Sequence, residues 1–495
     1  MRVLVIADER TTASFIRKAL PAAFVFAGIV LAGCVRFEPQ KISPMETAAS
    51  LENRSLDEPR LRAFVEKNLG RELKQWPPKF WDLESLTLAA YYFQPSLDVA
   101  RAEWRTAAAG AISAGARPNP TVSFTPGYNV NAASAVSPWL GSVGFDWPVE
   151  TAGKRGLRIQ RAKQITEAAH LNLISTAWKV RANVRDNLAA HRFAGNQSSV
   201  LEQKVALQKQ IVAALEQRFA SGAISSIELT PARIALQKTE LELSLARENA
   251  AAAEAGVAVA IGVPARLLKN LPMALGLYTP QLEESSLAEP RRNALQNRAD
   301  IRIALADFDA AQTALRLEIA KQYPDIHFSP NYEYDQGANK WRLGVSLELP
   351  LLNRNQGGIA EAKAKRDETS ARFTALQAKV ISEIDSAAKT FFIARKRVFE
   401  IQPALDNQHK QEDAVAAQVK AGEADSLDLL NVKLEKLTLL ALNEEIGYRA
   451  GQAFGRLEDA SQQMLDKPRG ELAAALPDGL EQNPRGEQTA ARKSE

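Results

Sequence analysis

One cysteine, Cys34, and four histidines stand in 495 residues. A lone thiol excludes an intramolecular disulfide framework and any multi-cysteine metal site. The histidines, His170, His191, His327 and His409, are scattered, and none has metal-ligand spacing. No phosphate-binding loop, Ser/His/Asp order or carboxylate pair stands in a fitting context, so no enzyme, cofactor or metal site is expected. A long apolar run is missing too. The run over residues 19–29 is too short for a spanning helix, which needs about 20 residues. Charge of one sign is also scarce: 62 Lys and Arg face 58 Asp and Glu, a net +4. The basic residues are spread along helical stretches, often near acids, which leaves no nucleic-acid footprint.

What is present is periodicity. The stretch 341–366, WRLGVSLELPLLNRNQGGIAEAKAKR, begins as an alternation. Trp341, Leu343, Val345, Leu347 and Leu349 fall on one face, and Arg342, Gly344, Ser346 and Glu348 on the other. A period of two marks a strand, and an apolar face opposite a charged one suits a wall between lipid and water. Pro350 is expected to end it. After NRNQGG the period lengthens: Phe373, Leu376, Val380, Ile384, Ala387, Phe391, Ala394, Val398, Ile401 and Leu405 recur at three or four. That is the seam of a long helix packed in coiled-coil fashion.

The pattern has an echo about 200 residues earlier. GSVGFDWPVETAGKRGLRIQRAK also alternates, with Val143, Phe145 and Trp147 against Ser142, Gly144 and Asp146, and also turns helical. PTVSFTPGY matches PDIHFSPNY, and RFASGAISSIEL matches QVKAGEADSLDL. Two structural repeats follow. The first spans 61–263 and the second 291–465, with a proline-bearing connector over 264–290. Within the first, helix is expected over 61–73, from about 83, over 96–116, 154–221 and on to 261. Strands are expected over 121–130 and 141–147. In the second, helix is expected over 291–321, to 421 (kinked at Pro403) and over 426–465, with strands over 325–334 and 340–349. Residues 466–495 read as a disordered tail.

Arg17 and Lys18, the apolar run and Leu31-Ala32-Gly33-Cys34 read as a secretory signal over 1–33. The last four residues resemble the lipobox of bacterial lipoproteins, in which the cysteine becomes the lipidated mature N-terminus. The alternative is a buried cysteine behind an uncleaved anchor. Asp8, Glu9 and Arg10 lie upstream, where a start later than Met1 would remove them. Residues 34–60, polar and aperiodic, read as a lipidated tether.

Four strands of membrane length, with aromatics near their ends (Tyr128, Trp139, Trp147, Tyr332, Tyr334, Trp341), cannot live in lipid as an open sheet. They must close with copies of themselves, which predicts a homo-oligomer. Over 61–465 the chain resembles the TolC family of outer membrane efflux proteins, or outer membrane factors. LELPLLNRNQGGIAEAKAK is most similar to the heavy-metal branch typified by CzcC and CusC. The resemblance implies a mainly α fold with a small β part: a trimeric twelve-stranded β-barrel in the outer membrane of a Gram-negative bacterium, continued by a periplasmic helical barrel. It implies a passive conduit with two partners, a periplasmic adaptor (membrane fusion protein) and an inner-membrane pump of the resistance-nodulation-division type. Heavy-metal cations are the expected cargo. A drug-efflux or type I secretion channel is the alternative, and a non-conducting coiled-coil envelope lipoprotein a further one.

By the same resemblance the hairpin tips Gly222-Ala223-Ile224-Ser225 and Gly422-Glu423-Ala424-Asp425 receive the adaptor, although glycine at a helix end also serves as a plain turn. Asp428 and Asn431 take the positions where family channels place acids at the periplasmic entrance. Asp428 is then either one third of a negative ring or a helix-start acid stabilised by the dipole. An arginine that latches some relatives shut would sit at Ala424, so that latch is not expected. Arg342, Ser346, Glu348 and Asp146 are expected to line the barrel lumen.

Overall fold

The computed structural model describes residues 37–269, 271–274, 282–465 and 481. The signal segment, Cys34 and all of the tail except Glu481 lie outside them. The chain divides into two units, Met1–Asn53 and Arg54–Glu495.

The described part of the first unit holds helix α1, Pro44–Glu52. This corrects the aperiodic tether. Ser43 accepts a hydrogen bond from the Glu46 amide (3.4 Å) and Pro44 opens the first turn, so Ser-Pro is a helix start. Nor are residues 54–60 a tether, since they belong to the core of the second unit. Leu56 is buried, and the Arg54 guanidinium lies over Phe93 and donates to the Gly262 carbonyl at a helix end.

In the second unit, α2 (Pro59–Leu69), α3 (Leu83–Phe93) and α4 (Pro95–Ala114) lead to strands β1 (Thr121–Tyr128) and β2 (Trp139–Val149). Helix α5 (Lys154–Ala220) and its return α6 (Ser226–Ile261) complete the first repeat. The second repeat runs α7 (Ala288–Asn297), α8 (Ala299–Ala320), β3 (Ile326–Asp335), β4 (Ala338–Leu347), α9 (Gln356–Glu400), α10 (Gln402–Ala421) and α11 (Ser426–Ser461). At 67 residues α5 is about 100 Å long. Its counterpart is broken at Ile401, and Pro403 sits in the first turn of α10, as the sequence predicts.

Element boundaries differ from expectation at several places. Strand β4 stops at Leu347, before Pro350, because its partner β3 begins at Ile326, which pairs with Leu347. The helix expected over 291–321 is two helices starting at Ala288, separated by Arg298 in extended backbone (ψ 137°). The Arg298 guanidinium is held there by Asp300 (2.7 Å), Glu383 (3.1 Å) and the Ala460 carbonyl (2.6 Å). The connector is tied to the first repeat, since the Trp81 amide donates to the Pro272 carbonyl and the Ala274 amide to that of Trp81, both at 2.9 Å.

The main core lies where both faces of α3 are apolar. LESLTLAAYYF is buried on every side, packed by Leu61, Phe64 and Val65 of α2, the α5 row Leu173–Ala177–Val180–Val184–Leu188 and the end of α6. A second cluster joins Phe391 and Ala394 of α9 to Ala453, Phe454 and Leu457 of α11. The predicted seam of the second long helix is therefore observed, with Val380, Ile384, Phe391 and Ile401 all buried.

Candidate functional site

The four strands form one antiparallel sheet in the order β1-β2-β3-β4, so its central pair joins the two repeats. Residues that face each other across a ladder share a side of the sheet. Phe124 pairs with Val143, Val143 with Tyr332, and Tyr332 with Trp341, giving an apolar row across all four strands. A second row runs Trp147–Phe328–Val345. These side chains are exposed, Trp341 to 80% and Phe124 to 69%, except for Tyr332, which is half-buried. Tyr128 meets Trp139 and Tyr332 meets Trp341 at centroid distances of 5.0 and 4.9 Å, which gathers aromatics at the hairpin ends.

The opposite face is polar and internally paired. Asp146 accepts from Ser329 Oγ (2.9 Å) and sits 3.0 Å from His327 Nδ1, while Ser346 lies opposite His327. Arg342 pairs with Glu333, and Lys340 with Asp335 at 2.5 Å. Three of the four expected lumen residues, Asp146, Arg342 and Ser346, therefore share this face. The fourth, Glu348, lies one residue past β4 and lines a cavity of about 610 Å³ where the sheet meets the helices. Lys154, Arg158, Glu150 and Asp325 also line it, joined as Lys154–Asp325 (2.8 Å) and Arg158–Glu150. Hydrogen bonding to Arg158 holds Glu150 below the usual carboxylate range. Among the described residues, strands β1 and β4 each have a partner on one side only.

The far ends of the long helices are built alike. Gly222 (φ 72°) and Gly422 (φ 78°) adopt the left-handed conformation that closes a helix. The next amide then reaches back, Ala223 to the Arg218 carbonyl (2.8 Å) and Glu423 to that of Gln418 (2.9 Å). Each return helix opens on a capping contact. Glu228 accepts the Ser225 amide (3.1 Å) and Asp428 the Asp425 amide (3.2 Å). Asp428 thus has the geometry of a helix-start acid and remains exposed, as does Asn431. Position 424 is an alanine, and its neighbour Asp425 forms an ion pair with Arg218 of the other tip. That hydrogen bond, with a second from the Leu427 amide, holds Asp425 below its ordinary value.

The sequence profile described as "Outer membrane efflux protein" matches residues 92–263 and 291–452, the two repeats. The chain belongs to the outer membrane efflux protein family. Among curated relatives of this efflux protein is the cobalt-zinc-cadmium resistance protein CzcC of Cupriavidus metallidurans. It is 24% identical over 293 residues, which cover 58% of this chain and 68% of CzcC. The outer membrane protein VceC of Vibrio cholerae superposes with a TM-score of 0.62 at 20% identity, covering 77% of this chain and 96% of VceC. CusC superposes with a TM-score of 0.63 at 16% identity, covering 80% and 96%. The fold is that of the TolC-family channels, mainly helical with a small sheet.

One feature of the efflux protein escaped the sequence reading. Between α5 and α11, Arg185 donates to Asp459 (2.7 Å), Asp186 (3.0 Å) and Glu458 (3.4 Å), and Arg181 reaches Glu458 at 3.5 Å. Trp178 Nε1 donates to Asp459 at 3.0 Å. Glu458 is 2% exposed and both arginines are buried, while Asp459 and Asp186 reach the surface, so the cluster is a tie between the repeats with a buried centre. Burial opposes the charge on Arg185, but the carboxylates of Asp459, Asp186 and Glu458 outweigh it and the group stays ionised. The available signal was an arginine pair at i and i+4 inside the apolar row Ala177–Val180–Val184–Leu188.

Proposed function

We propose that three copies of this chain close into a conduit through the outer membrane and periplasm, driven by an inner-membrane pump of the resistance-nodulation-division type. The carrying observation is the sheet, with an exposed apolar face, a polar paired face and two edges that lack a partner. In lipid such edges are tolerated only when another copy completes the ladder. Three times four strands gives a barrel whose polar faces, with Asp146, Arg342 and Ser346, surround water, and Glu348 stands at its inner rim.

The two tips, Gly222–Ser225 and Gly422–Asp425, are small and solvent-facing, which supports docking of a periplasmic adaptor. Asp428 and Asn431 line the entrance in this reading, and three Asp428 carboxylates favour cations. Similarity to CzcC, whose name records cobalt, zinc and cadmium resistance, supports heavy-metal cations as cargo. Cys34 carries the lipid, and the mature chain starts there.

The assembly is tested by mass in detergent corrected for the bound micelle, where a trimer is expected and a stable monomer refutes the reading. Cargo is tested by deleting the gene. Loss of zinc, cobalt or cadmium tolerance is expected, and loss of drug tolerance alone would replace the cargo.

A further inference from the structure

The cavity of about 610 Å³ where the sheet meets the helices is lined by the acids Glu150, Asp325 and Glu348 and the bases Lys154, Arg158 and Lys321. All but one of these charges are met inside the chain. Arg158 is held by Glu150, Lys154 by Asp325 (2.8 Å) and Lys321 by Glu318 (2.6 Å). The imidazole of the wall, His327, is engaged by Asp146 (3.0 Å). Glu348 is left over. It is exposed, and its carboxylate has no ion pair or hydrogen bond among the described residues.

The register accounts for this. Ile326 pairs with Leu347, so one further step would set Glu348 opposite Asp325. Like charges facing each other across a ladder repel, and Asp325 is already committed to Lys154 and to the Thr151 amide (2.9 Å). Glu348 therefore keeps its charge uncompensated, over a cavity whose other charges cancel. The same wall carries Tyr323, whose ring is 60% exposed and meets no other ring and no cation among the described residues. An aromatic face attracts a cation through its quadrupole, and a carboxylate beside it adds the opposite charge.

Size decides the class of cation. A zinc-like ion is held by side chains at about 2 Å, and among the described residues no three His, Cys, Asp or Glu side chains could hold a metal. A space of this volume falls instead within the range of about 300–1,000 Å³ that small organic ligands occupy.

We propose that this cavity binds an organic cation, an amine or quaternary ammonium with its charge against Glu348 and its body against Tyr323 and Pro324. The inference is independent of the metal cargo proposed above, because every wall of the cavity belongs to one chain. In the proposed ring the site stands three times around the base of the barrel. One carboxylate and one ring make a weak site, and a conduit needs ligands that leave as readily as they enter.

The test is a titration of benzyltrimethylammonium chloride into the full-length protein in amphipol at low salt, followed by saturation-transfer NMR of the probe. Saturable binding is expected, weakened about tenfold by Glu348→Gln and again about tenfold by Tyr323→Leu. Both residues are exposed, so neither change should disturb the fold. Glu248→Gln, which removes an exposed acid from α6, is expected to leave the affinity unchanged. The site is overturned by an absence of saturable binding, by binding that neither substitution weakens, or by an equal loss in Glu248→Gln. Displacement of the probe by micromolar zinc would make this a metal site and overturn the organic assignment. A monomer by mass refutes the ring, and the titration still decides the cavity.

Discussion

Gly455 of α11 stands against the Arg185 guanidinium. A Cβ added there would lie 2.6 Å from Arg185 Cζ and Nε and 2.8 Å from Nη2. The tip of an arginine can usually move aside, but this one is held by Asp459, Asp186 and Glu458 in a buried site. Gly455→Ala must therefore displace the group and lengthen its hydrogen bonds, at about 1–3 kcal/mol as for other overpacked interiors. Arg185→Ala removes the group from a buried ionic cluster, which costs about 3–5 kcal/mol. Unfolding entropy of about 2.1 cal/mol/K per residue, over the roughly 440 residues of the larger unit, makes 1 kcal/mol equal to about 1 °C. Scanning calorimetry or nanoscale fluorimetry in one detergent at one scan rate should then place Gly455→Ala about 1–3 °C and Arg185→Ala about 3–5 °C below the parent. The double variant decides the mechanism. With Arg185 gone, the methyl group added at position 455 has nothing to strike, so the double variant should lie no lower than Arg185→Ala alone. Additive shifts, or an Arg185→Ala protein within about 1 °C of the parent, would refute the view of the cluster as a stabilising tie that leaves no room for a methyl group at position 455.

Asp425 has a depressed native value, so its contribution is present above the ordinary carboxylate range and is lost as pH falls through that lowered value. Hydrogen exchange of the Leu427 amide, corrected for intrinsic rate, should lose protection in acid, and Asp425→Asn should abolish this dependence. A parent without acid loss would count against it. Asp428→Asn should lower cation selectivity and block by multivalent cations in planar bilayers while leaving assembly intact, and an unchanged reversal potential would leave Asp428 only its capping contact with the Asp425 amide. Mass spectrometry of the mature N-terminus should find diacylglycerol on Cys34, and Cys34→Ala should slow delivery more than it prevents insertion. A mature chain beginning at Met1 would contradict this.

The sheet was legible because lipid and water impose opposite demands on its two faces. The alternation Trp341–Leu343–Val345–Leu347 and its echo Val143–Phe145–Trp147 survive without interruption, and the observed register lines them up. The long helices were legible through their seams, and the tips through Gly222 and Gly422. What stayed hidden depended on distant partners. Nothing near Pro350 says that β4 ends at Leu347, since the limit is set by where β3 begins. The break at Arg298 lacks the proline that marks its first-repeat counterpart at Gln94–Pro95, and comes instead from Asp300, Glu383 and the Ala460 carbonyl. The tie between the tips stayed hidden because Arg218, the partner of Asp425, lies 207 residues away in the chain.

The central ladder of the sheet has a consequence for the order in which the molecule can be made. β2 and β3 pair as Val149 with Ile326 and Leu140 with Asp335, so neighbours in space are separated by the whole first helical hairpin, the connector, α7 and α8. During synthesis the β1–β2 hairpin emerges first and has no third strand. A two-stranded ribbon is at best marginally stable in water, and this one carries Phe124, Val143 and Trp147 on an exposed face. It must wait, uninserted, until β3 arrives, and closing so long a loop makes the pairing slow. Membrane insertion is thereby placed at the end of folding: a chain cut after the first repeat has a hairpin and a coiled coil but no sheet with which to enter the bilayer.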